Sequence, residues 1–104
     1  MLTPELKSRF DNEIKNHKIV IYMKGNQLFP QCGFSARVVQ ALKPFGPLHT
    51  VDVLKEPDVR DAIKSYSDWP TLPQVYVNGA FVGGCDIVTG MAERGELEAL
   101  VKGG

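Results

Sequence analysis

At 104 residues, with 12 basic and 12 acidic side chains and zero formal charge, the chain has room for one core and lacks the basic excess of a dedicated nucleic-acid binder. Two cysteines are too few for a disulfide scaffold, and no stretch approaches the roughly 20 apolar residues that a membrane span needs. Met1-Leu2-Thr3-Pro4-Glu5 reads as neither a secretory leader nor an Arg-rich transit sequence, so a single domain over 1–104 in the reducing cytoplasm is expected.

Thr3-Pro4-Glu5 reads as a cap, an N1 proline and a first-turn acid, and Leu6, Phe10 and Ile14 follow at helical spacing. Ile19 to Met23 is an unbroken apolar run, which suits a central strand buried on both faces. A loop over 24–31 leads to a helix that turns Val38, Val39 and Leu42 inward and ends by Gly46. Thr50 to Leu54 alternates like a second strand. Pro57-Asp58 opens a third helix with Val59, Ala62, Ile63 and Tyr66 on one face. Trp69-Pro70-Thr71-Leu72-Pro73 must be extended, because a residue before proline is driven out of the helical region. Val75-Tyr76-Val77, Asn78-Gly79 and Ala80-Phe81-Val82 form a hairpin signal with a type I′ turn. Gly83-Gly84 then enters a closing helix interrupted near Gly95. The order predicts an α/β sandwich: a four-stranded mixed sheet flanked by helices, its first two strands parallel and its hairpin antiparallel.

Cys32 falls where the first strand's loop meets a helix. Backbone N–H groups converge there and the helix dipole is positive, so thiolate is favoured. Thiolate is the form that attacks disulfides and binds soft metals. Three residues on, where a two-thiol redox motif has its second cysteine, stands Ser35. Cys32 therefore closes no local disulfide. Its partner is a small thiol, another chain, a distant cysteine or a metal. Lys24 supplies a positive charge nearby. Phe34 and Ser35 are expected to shape the thiol's surroundings, and His17 and His49 lie outside every motif.

Lys24-Gly25, Cys32-Gly33-Phe34-Ser35, Trp69-Pro70-Thr71-Leu72-Pro73-Gln74 and Gly83-Gly84-Cys85-Asp86-Ile87 occur in the order and spacing of monothiol glutaredoxins, and the chain resembles the single-domain bacterial form from about Ile19 onward. Asn26-Gln27 departs from the Ser or Thr followed by Pro that is usual in that loop. The resemblance implies a thioredoxin-like (glutaredoxin) sandwich and a glutathione site. In it, Lys24 and Arg60 meet the glycyl carboxylate, and a cis bond at Pro73 presents the backbone of Leu72 as a strand edge. Thr71 adds a hydroxyl, the N–H groups of Cys85 and Asp86 take the γ-glutamyl carboxylate, and the Asp86 side chain takes the amino group. Read without the resemblance, Arg60 is a surface residue pairing with Glu56 or Asp61, Asp86 is a helix cap, and Cys85 is a bystander or a resolving thiol for Cys32.

The function implied first is that of an iron–sulfur carrier. Cys32 and a bound glutathione each ligate a [2Fe–2S] cluster that bridges a homodimer, monomeric when apo, with BolA-like proteins and apo iron–sulfur proteins as partners. The alternative is a glutathione-dependent thiol–disulfide oxidoreductase acting through Cys32, at most a weak enzyme. A regulatory module in which the cluster acts as a sensor is a third reading.

Overall fold

Why this chain forms a layered sheet is clearest in its first strand. A computed structural model of the chain describes residues 1–103. Strand β1, Ile19–Met23, is buried along its whole length. It lies between β2 (His49–Asp52), which runs parallel to it, and β3 (Gln74–Val77), which runs antiparallel; β4 (Ala80–Gly83) closes the order β2-β1-β3-β4. Side chains alternate across a strand, so β1 feeds two separate cores. Ile19, Ile21 and Met23 pack with Val38 and Leu42 of helix α2 (Gly33–Leu42), Val88 of α4 (Cys85–Glu93), and Leu97 and Val101 of α5 (Leu97–Lys102). Val20 and Tyr22 face the other way, onto Phe10 and Ile14 of α1 (Pro4–Asn16) and Val59, Ala62 and Ile63 of α3 (Pro57–Ser67). Each fully buried aliphatic side chain contributes about 1.5–3 kcal/mol. Together these residues fix the sheet between two helical layers.

The local signals act as the sequence reading expects at most junctions. The Thr3 hydroxyl accepts the Leu6 N–H at 3.2 Å and caps α1. Asn78 and Gly79 both take positive φ, 53° and 83°, which makes the hairpin turn type I′. The last helix is divided, with Gly95 at φ 69° between α4 and α5. No helix among the described residues is long and apolar enough to cross a membrane.

The second strand starts one residue before Thr50 and ends two residues before Leu54. It spans His49–Asp52 because the Asp52 side chain ends it: Oδ1 accepts the Leu54 N–H at 2.9 Å and starts a turn, leaving Leu54 exposed. The same Oδ1 accepts the Gly25 N–H at 3.0 Å, so the turn after β2 is tied to the loop after β1. The imidazoles of His17 and His49 stack at 3.9 Å, and His49 Nε2 lies 3.0 Å from Glu13 Oε2, a structural arrangement in keeping with their place outside the motifs.

Candidate functional site

The loop between β1 and α2 aims Cys32. Gly25 takes φ +88°, and a Cβ there would lie 2.5 Å from the Phe29 carbonyl oxygen, so only glycine fits. The Gln31 N–H donates to the Lys24 carbonyl at 2.8 Å, and Gly25 bridges to Pro30. Asn26 shapes the rest of the loop: its Oδ1 accepts the N–H groups of Leu28 and Phe29, both at 2.9 Å. This closes an Asx turn and leaves Leu28 and Phe29 exposed.

Cys32 is the N-cap of α2, half-buried, with its sulfur accepting the Ser35 N–H at 3.3 Å. Ser35 is fully buried, and its Oγ lies 3.2 Å from the same sulfur while accepting the Lys24 N–H at 3.2 Å. Burial alone pushes the thiol up. It is outweighed by the Ser35 hydroxyl, the N–H groups of Ser35 and Phe34 and the Lys24 charge, so Cys32 titrates below an ordinary thiol. The sequence marks Ser35 both as the place of the missing second thiol and as a residue that shapes the thiol's surroundings. Its burial against the sulfur, which no spacing rule conveys, makes it a hydrogen-bond donor to the thiolate.

Beside this thiol opens a cavity of about 560 Å³. Lys24, Arg60, Thr71, Leu72, Pro73, Cys85 and Asp86 all line it, so two helices and two loops bring the expected residues together. Cys32 is not itself a wall residue; the cavity reaches its helix through Phe34 and its charged neighbour Lys24. Lys64 and Ile87 also line the walls and were not anticipated. Lys64 lies one helical turn after Arg60, a spacing that marks them as neighbours on α3. Trp69 forms part of the wall, as expected.

Glu56 does not pair with Arg60: Arg9 grips it with two hydrogen bonds, 2.7 and 3.0 Å, and Arg60 has no ion-pair partner among the described residues. Asp86 does not cap α4, because Gly84 occupies the N-cap without a side-chain bond and Asp86 lies in the first turn. The Leu72–Pro73 bond is cis, and neither the N–H nor the carbonyl of Leu72 has a hydrogen-bond partner among the described residues. Cys85 is buried, and both cysteines are free thiols. Three cations and one carboxylate thus face a cavity that also offers an unpaired stretch of backbone and the first amides of a helix.

The Glutaredoxin family profile matches residues 19–82. A Synechocystis sp. protein named as an uncharacterized monothiol glutaredoxin is 49% identical over 102 residues, which is 97% of this chain and 95% of that protein. The chain belongs to the monothiol glutaredoxins.

Glutaredoxin 4 of Escherichia coli strain K12 is 47% identical over 95 residues, covering 90% of this chain and 83% of its own. The solution structure of reduced poplar apo GrxS14 superposes with a TM-score of 0.85 at 46% identity, covering 97% of this chain and 94% of the other. The fold is thioredoxin-like, and glutaredoxins typically use glutathione.

Proposed function

We propose that this glutaredoxin carries a [2Fe–2S] cluster ligated by Cys32 and glutathione, shared between two protomers, and passes it to apo iron–sulfur proteins. The observation that carries this reading is a half-exposed thiol, held below the ordinary thiol range, next to a cavity of matching charge. Glutathione bears two carboxylates, one ammonium and a thiol. Lys24 and Arg60 suit the glycyl carboxylate, and the N–H groups of Cys85 and Asp86 suit the γ-glutamyl carboxylate. The Asp86 carboxylate suits the ammonium. The free N–H and carbonyl of Leu72 can pair with the cysteinyl backbone as a strand edge does, with Thr71 adding a hydroxyl and Pro73 continuing the wall.

The donor set decides the stoichiometry. Such a cluster takes four ligands, usually thiolates. Of the two free thiols Cys85 is buried and Cys32 is partly exposed, so Cys32 is the thiolate a protomer offers to a cluster shared at its surface. One glutathione brings it to two donors, and two protomers complete four. A dimer that forms only with the cluster follows, monomeric when apo. Half of the ligands are exchangeable small molecules, which suits transfer. A BolA-like protein taking the place of one protomer, and a cytoplasmic location, belong to the same reading. Anaerobic reconstitution with iron, sulfide and glutathione tests it. Visible absorption should need both glutathione and Cys32, vanishing in Cys32→Ser; colour without glutathione would reject shared ligation.

The depressed Cys32 thiol favours a second reading, glutathione-dependent reduction of mixed disulfides. The thiolate attacks the glutathione sulfur of a glutathionylated protein, forming Cys32–S–S–glutathione and releasing the protein thiolate. A second glutathione thiolate attacks the glutathione sulfur of this adduct, giving oxidised glutathione and restoring the Cys32 thiolate. Cys85 would offer a slower route by displacing glutathione to form an intrachain bridge. Rapid turnover on a glutathionylated peptide, lost in Cys32→Ser, would raise this reading to the principal one.

A further inference from the structure

Among the described residues, Gln74 and Ser35, the latter beside the thiol, are the polar side chains buried completely. Gln74 opens β3, where its backbone faces Tyr22 of β1. Its Nε2 donates to the carbonyls of Trp69 at 3.2 Å and Thr71 at 3.3 Å, and its Oε1 accepts the Tyr76 hydroxyl at 3.3 Å. Two carbonyl acceptors at one end of the amide and a hydroxyl donor at the other leave a single consistent orientation.

We propose that Gln74 is a positioning residue for the glutathione site, its amide clamping the Trp69–Pro73 wall in the shape that pairs with a tripeptide. This rests on the glutathione reading above. The wall belongs to no helix or strand, and its two prolines can donate no backbone hydrogen bond. Neither carbonyl that the amide holds has a backbone donor. An apolar residue of similar volume would fill the same place in the core. A buried amide costs free energy unless every polar atom is bonded, and here none is left without a partner. Its chemistry is specific: one nitrogen with two hydrogens spans two acceptors, whereas a glutamate would set oxygen against them. Holding residues 69 and 71 fixes the approach to Leu72, whose unpaired N–H and carbonyl belong to the cavity wall. The Tyr76 hydroxyl keeps the amide turned the right way.

The test compares wild type with Gln74→Met, which keeps volume and removes both donors, and with Tyr76→Phe, which keeps the amide and removes its anchor. Glutathione alone is titrated into the reduced protein and followed by backbone amide resonances, and the pH profile of Cys32 alkylation is measured in parallel. Gln74→Met should weaken glutathione binding roughly tenfold, as loss of two hydrogen bonds implies. Tyr76→Phe should weaken it less, and both should leave the alkylation profile at its wild-type position. Undiminished binding in a folded Gln74→Met protein overturns the clamp while leaving the glutathione reading intact. Absence of binding in wild type overturns both. Weakened binding with a displaced thiol profile assigns the effect to general disruption and also overturns the clamp. Should Gln74→Met fail to fold, unchanged affinity in Tyr76→Phe overturns it.

Discussion

Ser35 holds the Cys32 sulfur twice, through its Oγ at 3.2 Å and its N–H at 3.3 Å. Its oxygen already accepts the Lys24 N–H, so the hydroxyl hydrogen is free to point at sulfur. The residue that precludes a local disulfide therefore stabilises the thiolate that remains.

Ser35→Ala should move the alkylation profile of Cys32 to higher pH. The wild-type thiol sits below its ordinary value, so thiolate, and the reactivity that follows it, is present at lower pH than in a free thiol. The same shift contributes stability above the unfolded thiol's range, lost as pH falls through the depressed value. Rates of iodoacetamide modification across pH measure this; an unmoved profile would contradict the role of the hydroxyl.

Arg60→Ala should weaken glutathione binding about ten- to a hundredfold, the range for losing a hydrogen bond to a charged group. The melting temperature should hardly change, because Arg60 pairs with no carboxylate among the described residues. Titration of glutathione at low and high salt checks both points, and the wild-type advantage should shrink as salt rises.

Much of this was legible in the chain. The apolar run of β1, the Asn78-Gly79 turn and the prolines of 69–73 each act through local backbone chemistry, which sequence expresses directly. The wall residues were legible only because four separated motifs match one family. Three features were not. The partner of Glu56 lies 47 positions away at Arg9, a pairing that closeness in sequence to Arg60 does not reveal. The end of β2 is set by an Asp52 side chain that also serves a distant glycine. The work of Ser35 and Gln74 depends on burial against particular carbonyls and a particular sulfur, which has no period and no spacing.

Glu56→Gln should cost at most about 1 kcal/mol at neutral pH, since both partners of the Arg9 pair keep over a third of their side chain in water. The Arg9 guanidinium holds the Glu56 carboxyl below the usual carboxylate range. The stabilisation is full above that range and is lost as pH falls through the depressed value. Urea unfolding at neutral and acid pH should show the gap between wild type and variant closing under acid.

Phe10→Ala should destabilise by about 3–5 kcal/mol, the range for removing a buried aromatic side chain. Phe10 is fully buried and meets Tyr22 at 5.4 Å and Tyr66 at 5.3 Å between ring centroids. Helix α1 precedes the matched residues 19–82, so this loss would establish it as part of the cooperative fold. Thermal unfolding followed by circular dichroism reads the change.

Native mass spectrometry of the reconstituted protein tests cluster sharing most directly, because it weighs chains, metal and small thiols in one particle. The expected species holds two chains, two irons, two sulfides and two glutathiones, as four-thiolate ligation requires. A cluster on a single chain, or a metal-loaded dimer without glutathione, would contradict it.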